Sequence, residues 1–445
     1  MRAASMSDEQ PAPPPVAPQA ARGTERRAFA VLQVPGFRPY LATFFLTMMA
    51  DNIEHVISYW LMFQKFHSAA LGGFAVVSHW LPFLAFSVSV GALNDRFDSR
   101  RLIQLGGVLF LFVSAAWGYL FLTDTLEMWH AMVLLVLHGC AGVFWMTSSQ
   151  MLLYDIVGPA ELKSAVRLNA TARYLGVLVG PGIGSLVMLS LGATGGILLN
   201  TLFYLPLLLW LMRAPYGRHL LGNRLGNSPS DRKRPERAVR GLADIVQTIR
   251  EIRGLPVLSS MVLLAGAASF FVGNSYQAQM PGFAHDLGHG DPGLAYTSLL
   301  GADAAGALLA GLLLESRGSP FAMTSQVALR LASCWAAALL AFALCPWYPL
   351  ALGLLFLAGF FELSFSSLAQ TLVQMHAPED KRGRVLGVFG MSASGLRTFS
   401  GLSVGLAGSA TSIHLSLALS AGLFIGVSLF LQRLRPAPTP ASEGA

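Results

Sequence analysis

Long apolar stretches separated by short polar ones dominate the chain, and this pattern predicts helices that cross a membrane. A membrane-spanning helix needs about 20 mostly apolar residues, because the hydrocarbon layer of a bilayer is about 30 Å thick. Twelve stretches are long enough, and we number them spans 1 to 12. They lie near residues 37–63, 70–92, 102–122, 130–154, 166–190, 193–212, 257–282, 294–314, 321–344, 348–374, 385–408 and 413–431.

The spans fall into two groups of six, separated by the only long polar stretch inside the chain. The predicted parts are a disordered N-terminal tail over 1–36, a first bundle over 37–212, a linker over 213–256, a second bundle over 257–431 and a C-terminal tail over 432–445. Within the linker, residues 238–252 place apolar side chains on one helical stripe flanked by arginines. That pattern predicts a basic amphipathic helix on the membrane surface.

Composition supports an integral membrane protein and excludes a soluble one. Hydrophobic residues make up 54% of the 445 residues, charged residues only 12%, and the mean hydropathy is +0.56. Soluble domains carry about 25% charged residues. The net charge of +7 does not indicate nucleic-acid binding, because the basic residues sit next to the spans. The three cysteines fall inside or at the ends of apolar runs and form no disulfide framework.

The distribution of positive charge predicts the orientation of the chain. Lys and Arg concentrate in the short cytoplasmic loops of membrane proteins. With twelve spans, nearly all of the 30 Lys and Arg fall on one side of the membrane, and only Lys65 falls on the other. Three more, Arg173, Arg330 and Arg397, lie inside spans. We therefore expect both tails and the linker to be cytoplasmic.

The two groups of spans also resemble each other. Gly91 and Asp95 end span 2, and Gly311 and Glu315 end span 8 with an offset of 220 residues. A Pro-Glu-Lys segment after span 4 has a counterpart after span 10 at nearly the same offset. Two such matches at equivalent helix ends predict a duplicated six-helix bundle, as in transporters built from parallel repeats.

The polar end of span 2 carries the most specific motif in the chain, Gly-Ala-Leu-Asn-Asp-Arg-Phe-Asp-Ser-Arg-Arg over residues 91–101. Glycine lets two helices approach closely, and a carboxylate there can accept hydrogen bonds from a helix N-terminus. The motif resembles the loop signature of the major facilitator superfamily, G-x-x-x-D-[RK]-x-G-[RK]-[RK], with Asp98 in place of the second glycine. The residues that we expect to control gating are Gly91, Asp95, Arg96, Arg100 and Arg101.

This resemblance implies an all-α membrane protein with twelve transmembrane helices in two six-helix bundles and both termini cytoplasmic. It also implies a multi-pass protein of the bacterial inner membrane that acts as a monomer in contact with membrane lipid. Further similarity over nearly the whole chain, including Val179–Pro181 and Pro378–Val385, is to the branch that contains the enterobactin exporter and macrolide-efflux proteins.

Span 5 contains a second motif of small residues. Gly176, Gly180 and Gly184 are spaced by four and form a flat helix face, while Pro181 adds a kink. The segment resembles the span-5 motif of superfamily antiporters, which are exporters. Tight helix packing without any role in transport is the alternative explanation for this spacing.

Ionisable residues in the middle of span 1 are the first candidate site. Asp51, Glu54 and His55 share one helix face, because they are spaced by three and four residues. Charged groups at mid-bilayer cost about 2.5–3.5 kcal/mol each on insertion scales, so they are usually functional or paired. These three can hold a proton or a cation, or they can pair with neighbouring helices.

The second group of intramembrane polar residues is spread over several spans. Asp303, Glu362 and Arg397 lie near mid-depth and can form ion pairs or face a cavity, while Asn274 and Gln277 in span 7 can hydrogen-bond a substrate. In the superfamily, helices 1, 4, 7 and 10 line the cavity, which implies a cavity position for Glu362 and for His138 of span 4. His138 takes the place of the arginine that drug exporters carry there. Arg173 of span 5 is a further cavity candidate.

These features together predict a secondary transporter that exports a small amphipathic molecule, a siderophore or a drug, by alternating access driven by protons. A lysophospholipid flippase and a divalent-metal exporter remain alternatives on the same fold. An enzyme is disfavoured because the sequence lacks the H-E-x-x-H and nucleophile-elbow motifs. No ATP-binding G-x-x-x-x-G-K-[ST] loop is present either. We expect no cofactor, no resident metal and no nucleic-acid partner.

Overall fold

The computed structural model describes residues 29–66, 69–215, 242–273, 275–287, 294–316, 321–400 and 411–434. Within these ranges all regular structure is helical, in thirteen α-helices and a few short 3₁₀ or π turns, and no β-strand forms. The predicted N-terminal tail before residue 29, most of the linker and the end of the C-terminal tail lie outside the described residues. So does Asn274.

The first half of the chain contains four helices. They are α1 (Phe37–Phe66), α2 (Ala69–Arg96), α3 (Ser99–Leu122) and α4 (Met128–Arg213). Non-helical backbone interrupts α4 at Gly158, with φ of 66°, and at Gly192, with φ of 72°. Glycine populates positive φ without the steric penalty of a side chain. We call the three parts of this helix α4a (128–157), α4b (159–191) and α4c (193–213).

The three parts of α4 do not form one straight rod; each of them packs against α1. His138 of α4a and Tyr204 of α4c both contact Glu54 of α1. Gly184 of α4b packs against Ile53, the preceding residue of α1. One short stretch of α1 therefore meets all three parts, so the chain reverses direction near Gly158 and near Gly192.

The remaining helices follow the linker. They are α5 (Leu242–Arg253), α6 (Pro256–Phe271), α7 (Ser275–Ala278), α8 (Met280–Asp286), α9 (Leu294–Ser316), α10 (Ser325–Ala343), α11 (Tyr348–His376), α12 (Arg382–Gly390) and α13 (Ile413–Leu434). Seven helical stretches among the described residues are long and apolar enough to cross a membrane. Leucines exposed on the outside, such as Leu189 with 83% of its surface accessible, form the apolar exterior that a bilayer requires.

Span 7 is not the continuous helix over 257–282 that the apolar pattern predicted. Helix α6 ends at Phe271, and Gly273, with φ of 50°, bonds its N–H to the carbonyl of Ala268 at 2.9 Å. Span 11 is also irregular, because a π turn over Met391–Gly395 follows α12. Apolar composition does not record such breaks, and π turns often occur at functional sites. Both interruptions lie beside the cavity described below.

The linker helix α5 packs one face against the bundles. Asp244, Thr248 and Ile252 are buried, whereas Val246 and Ile249 remain exposed. Glu251 forms an ion pair of 3.1 Å with Lys381, which precedes α12. Partial burial raises the pKa of the Glu251 carboxyl, but hydrogen bonds from Gln247 and Lys381 outweigh it, so the net shift is downward. The part of the predicted 238–252 stripe that the structure describes, residues 242–252, is therefore partly exposed and partly used for packing.

Candidate functional site

The first-half site is a buried contact between two carboxylates of α1 and an imidazole of α4a. Nδ1 of His138 lies 2.9 Å from Oε1 of Glu54, and Nε2 lies 2.8 Å from Oδ1 of Asp51. All three side chains are less than a tenth exposed. The hydroxyl of Tyr204 donates a longer hydrogen bond of 3.4 Å to the other oxygen of Glu54. Residues distant in sequence thus form one polar network inside an apolar bundle.

Counting protons shows what this network can do. Two hydrogen bonds among an imidazole and two carboxyl groups require two protons, because an ionised carboxylate only accepts. The three groups then carry one net negative charge, whether His138 is charged or one carboxyl is protonated. Loss of one proton breaks a hydrogen bond and changes the net charge of the three buried groups from −1 to −2. Protonation and geometry are therefore linked at Asp51, Glu54 and His138.

Two further histidines extend this network. The rings of His55, His79 and His138 have centroids 4.8 to 5.9 Å apart, and their ligating atoms lie within 4.8 Å of one another. Nδ1 of His55 lies 3.9 Å from Asp51. Sequence reasoning missed His79, although it lies near the middle of span 2. The rule that intramembrane ionisable residues are functional by default would have identified it.

The glycine stripe of α4b determines how closely α1 approaches. A Cβ atom at Gly176 would meet Met48, one at Gly180 would meet Asn52, and one at Gly184 would meet Ile53 at 3.2 Å. Helix α4b therefore packs on the stretch of α1 that carries Asp51 and Glu54. Pro181 lies within the same helix. The stripe thus has a packing function, and any role in antiport remains a prediction.

The second-half site contains two carboxylates that face one tyrosine. The hydroxyl of Tyr276 lies 3.1 Å from Oδ2 of Asp303 and 3.4 Å from Oε2 of Glu362. Nε2 of Gln277 donates to the same Asp303 oxygen at 3.1 Å. The other oxygen, Oδ1 of Asp303, is buried and has no hydrogen-bond partner among the described residues. Because a tyrosine has only one hydroxyl proton, it cannot donate to both carboxylates at once.

Glu362 and Arg397 face one cavity but form no ion pair within 4.0 Å among the described residues. Arg397 instead donates to the carbonyl of Ala393 at 3.1 Å and lies over the ring of Trp80, 5.0 Å from its centre. The cavity measures about 50 Å³. Its lining combines charged and aromatic groups: Arg173, Glu362, Arg397, Trp335, Phe365 and Phe389.

Asp95 ties the two halves together at the end of α2. Its carboxylate accepts hydrogen bonds from the backbone N–H groups of Gly383 at 2.7 Å and Arg384 at 3.1 Å, at the N-terminus of α12. A Cβ atom at Gly91 would collide with the backbone of Gly383. The glycine therefore permits the approach, and the helix N-terminus favours the negative charge.

The arginines of the motif do not reach the second half in the part of the chain that the structure describes. Arg100 binds the Asp98 carboxylate at 2.5 Å and the Ala214 carbonyl at 2.6 Å, which ties α3 to the end of α4c. Arg101 contacts Gln104 on its own helix, and Arg96 ends α2. Asp98, which replaces the usual glycine, caps the N-terminus of α3 by accepting from the Arg100 N–H.

The duplicated motif makes a matching contact from the second half of the chain to the first. Glu315, at the end of α9, accepts a short hydrogen bond from Ser164 and lies 3.9 Å from Arg167 on α4b. Gly311 packs against Thr171 of the same helix. Ser164 and Gly383 are 219 residues apart, the same offset as the sequence repeat. Each half therefore inserts one acid into the start of a helix of the other half.

Comparison with known proteins identifies the family. Residues 40–401 match the Major Facilitator Superfamily, and the chain belongs to this family of transporters. It is 28% identical over 409 residues to the multidrug efflux pump Tap of Mycolicibacterium fortuitum, covering 88% of this chain and 94% of that protein. Tap of Mycobacterium tuberculosis is 26% identical over 370 residues, which is 79% of this chain and 82% of that protein. The protein is thus a multi-pass membrane transporter and not an enzyme.

Solved structures share the fold at low sequence identity. The fucose:proton symporter FucP of E. coli has a TM-score of 0.67, with 14% identity over 92% of this chain and 100% of that chain. A structure of FucP in the outward conformation has a TM-score of 0.69, with 14% identity over 91% of this chain and 99% of that chain. The human organic anion transporter MFSD10 (TETRAN) has a TM-score of 0.66, with 14% identity over 89% of this chain and 100% of that chain. The expected all-helical superfamily fold is confirmed by these similarities.

Proposed function

We propose that this protein is a proton-coupled exporter of small amphipathic drugs. The observation that carries the proposal is the buried contact of His138 with both Asp51 and Glu54, in a chain related to multidrug efflux pumps. In this account the protein acts as a monomer in the bacterial inner membrane. It has twelve spans, and both termini are cytoplasmic.

The Asp51–His138–Glu54 network is the proposed site of coupling. Gain or loss of one proton changes its net charge and the number of its hydrogen bonds, so each protonation state favours its own arrangement of α1 and α4a. A ligand shifts a conformational equilibrium only by its differential affinity for the two states. A proton that binds more tightly in one state therefore provides the driving force. The resemblance to drug exporters of the superfamily implies that His138 takes the position where those proteins carry an arginine.

The second-half cavity is the proposed cargo site. Aromatic side chains at Trp335, Phe365 and Phe389 suit the apolar part of a drug, and Glu362 suits a basic or hydrogen-bonding group. Ligand pockets are mostly apolar with a few polar groups and measure roughly 300–1,000 Å³. The cavity has this kind of lining, but at about 50 Å³ it must widen to hold a drug. Helix irregularity at Gly273 and at Met391–Gly395 allows this wall to rearrange.

The structure corresponds to an outward-facing state in this account. Asp95 and Glu315 join the two halves at the end that positive charge assigns to the cytoplasm. With that end closed, the proposed sites open away from the cytoplasm. Release of both contacts would then open the cavity to the cytoplasm for loading.

Similarity to multidrug efflux pumps supports a drug as the cargo over the other candidate molecules. Transporters of siderophores, such as the enterobactin exporter, and of lysophospholipids share the fold. The relatives reported above, however, are multidrug efflux pumps.

Drug export into inverted membrane vesicles tests this proposal. We expect ATP-independent uptake of a fluorescent amphipathic dye when the vesicle interior is made more acidic than the outside. Uptake should stop when a protonophore is added. Glu362→Gln should reduce dye uptake at least tenfold. Uptake that is unaffected by the protonophore would contradict proton coupling, and absence of uptake for a panel of amphipathic dyes would contradict drug export.

A further inference from the structure

We infer that His55, His79 and His138 form a binding site for a divalent transition-metal cation, with Asp51 as the fourth ligand. Three helices contribute one or more of these groups: α1 carries Asp51 and His55, α2 carries His79, and α4a carries His138. Imidazole nitrogens and a carboxylate oxygen are the ligands that Zn²⁺ and its neighbours in the first transition series prefer.

The positions of the ligating atoms suit such a cation after a small movement. One ring nitrogen from each of the three histidines lies within 4.8 Å of the corresponding nitrogens of the other two. A tetrahedral site with bonds of about 2.0–2.1 Å has edges of about 3.4 Å. Ring rotations that move the nitrogen atoms by little more than 1 Å would shorten the distances between them from 4.8 Å to this length. Oδ1 of Asp51 already lies 2.8 Å from Nε2 of His138, and the other carboxylate oxygen, Oδ2, lies 3.9 Å from Nδ1 of His55.

The histidine that is free to bind is His79. Its Nδ1 is buried and has no hydrogen-bond partner among the described residues, although it lies in a polar cluster. A buried polar atom without a partner is unfavourable, which calls for a physical explanation. A cation between the three rings would give this nitrogen its partner.

The carboxylates supply what a metal site needs beyond its ligands. Glu54 accepts from Nδ1 of His138 and thereby directs Nε2 toward the centre of the cluster, as carboxylates do for zinc-binding histidines. Tyr204 in turn donates to Glu54. A divalent cation with neutral histidines and ionised Asp51 and Glu54 has no net charge. The same groups without the cation carry one net negative charge when they hold both hydrogen bonds.

A cation can also reach this site. His55 retains 21% of its side-chain surface accessible, and His79 is only partly buried. A cation bound here would displace the protons shared by Asp51 and His138. If the proposed function holds, Zn²⁺ and protons therefore compete, and Zn²⁺ inhibits drug export. Binding itself does not depend on that function.

Zinc binding to the purified full-length protein in detergent tests the site, with an affinity tag that contains no histidine. Competition against a chromogenic zinc chelator should give one Zn²⁺ per chain. His55→Gln and His79→Gln should each weaken binding at least tenfold, and Glu54→Gln should weaken it about 10–100-fold through the lost orientation of His138. Zinc should also raise the melting midpoint of the wild type and leave that of His79→Gln unchanged.

The matched control is a second group of histidines far from the cluster. His414 lies 3.4 Å from Asp286, next to His285, so this group could also bind zinc. The double change His285→Gln/His414→Gln should leave stoichiometry and affinity unchanged. The inference is overturned if this double change removes the binding, if His79→Gln binds zinc like the wild type, or if no stoichiometric binding occurs. His79→Gln breaks no hydrogen bond to the described residues, and its melting midpoint without zinc reports whether it folds.

Discussion

The carboxylate of Asp95 accepts a 2.7 Å hydrogen bond from the backbone N–H of Gly383, 288 residues further along the chain. The contact joins the end of α2 to the start of α12, and Glu315 makes its counterpart with Ser164. Both contacts bridge the two halves at the same end of the bundles. The sequence repeat is therefore also a repeat in the way the halves hold each other.

Asp95→Asn should favour opening at this end without weakening drug binding. Hydrogen bonds to charged groups contribute about 1.5–3 kcal/mol each, so the loss shifts the balance between states by roughly tenfold or more. Spin labels at Phe97→Cys and Glu379→Cys, in a background without native cysteines, report the separation of the two halves. The population with a short distance should fall, and equilibrium drug affinity should stay within about twofold.

The control for this prediction is Asp124→Asn. Asp124 is an exposed acid paired with Lys65 at 2.6 Å, and both residues belong to the first half. This variant should keep the wild-type distance distribution. An Asp95→Asn protein with an unchanged distribution and a tenfold loss of drug affinity would show that Asp95 acts in binding and not in closure.

Gly180→Val should destabilise the protein, whereas Gly182→Val should not. A side chain at Gly180 would collide with Asn52 of α1, while nothing lies within 4 Å of the corresponding position at Gly182. Overpacking of this kind typically destabilises by about 1–3 kcal/mol. Melting midpoints in detergent compare the two variants directly. Equal midpoints would mean that the glycine stripe does not determine the packing of α4b on α1.

Glu362→Gln should keep the stability of the protein and abolish export. Glu362 hydrogen-bonds Tyr276, and Arg397 bonds the Ala393 carbonyl, so neither depends on the other for a partner. The double change Glu362→Gln/Arg397→Gln should therefore show no recovery of stability over the single changes. A structural ion pair makes the opposite prediction, because breaking one leaves a buried charge that costs about 3–5 kcal/mol. Thermal unfolding of the four proteins distinguishes the two.

Much of the fold could be predicted from sequence because a bilayer imposes simple rules. Apolar length predicts helices, and the motif at Asp95 predicts the superfamily. The breaks at Gly273 and in the π turn over Met391–Gly395 could not be predicted, because they depend on packing partners distant in sequence. A run of apolar residues has the same composition whether its helix is continuous or interrupted.

The candidate site was predicted in its parts but not in its connections. Helical spacing places Asp51, Glu54 and His55 on one face, and depth in the membrane singles them out. That His138 contacts both carboxylates depends on how α4a packs against α1, which no local pattern encodes. Tyr204, which donates a hydrogen bond to Glu54, is not among the residues predicted for the site. Tyrosine is uncharged, so it does not stand out in an apolar stretch as an intramembrane carboxylate does.

Proton movement driven by the drug tests the central claim most directly. Proteoliposomes that contain a trapped pH dye receive an amphipathic drug on one side only, and the internal pH is followed. The wild type and Ser58→Ala, a change at a buried α1 serine whose hydroxyl donates to the backbone carbonyl of Glu54, should both move protons. Asp51→Asn and Glu54→Gln should each reduce that movement at least tenfold while drug binding persists. Proton movement at the wild-type rate in both variants would contradict the assignment of coupling to this network.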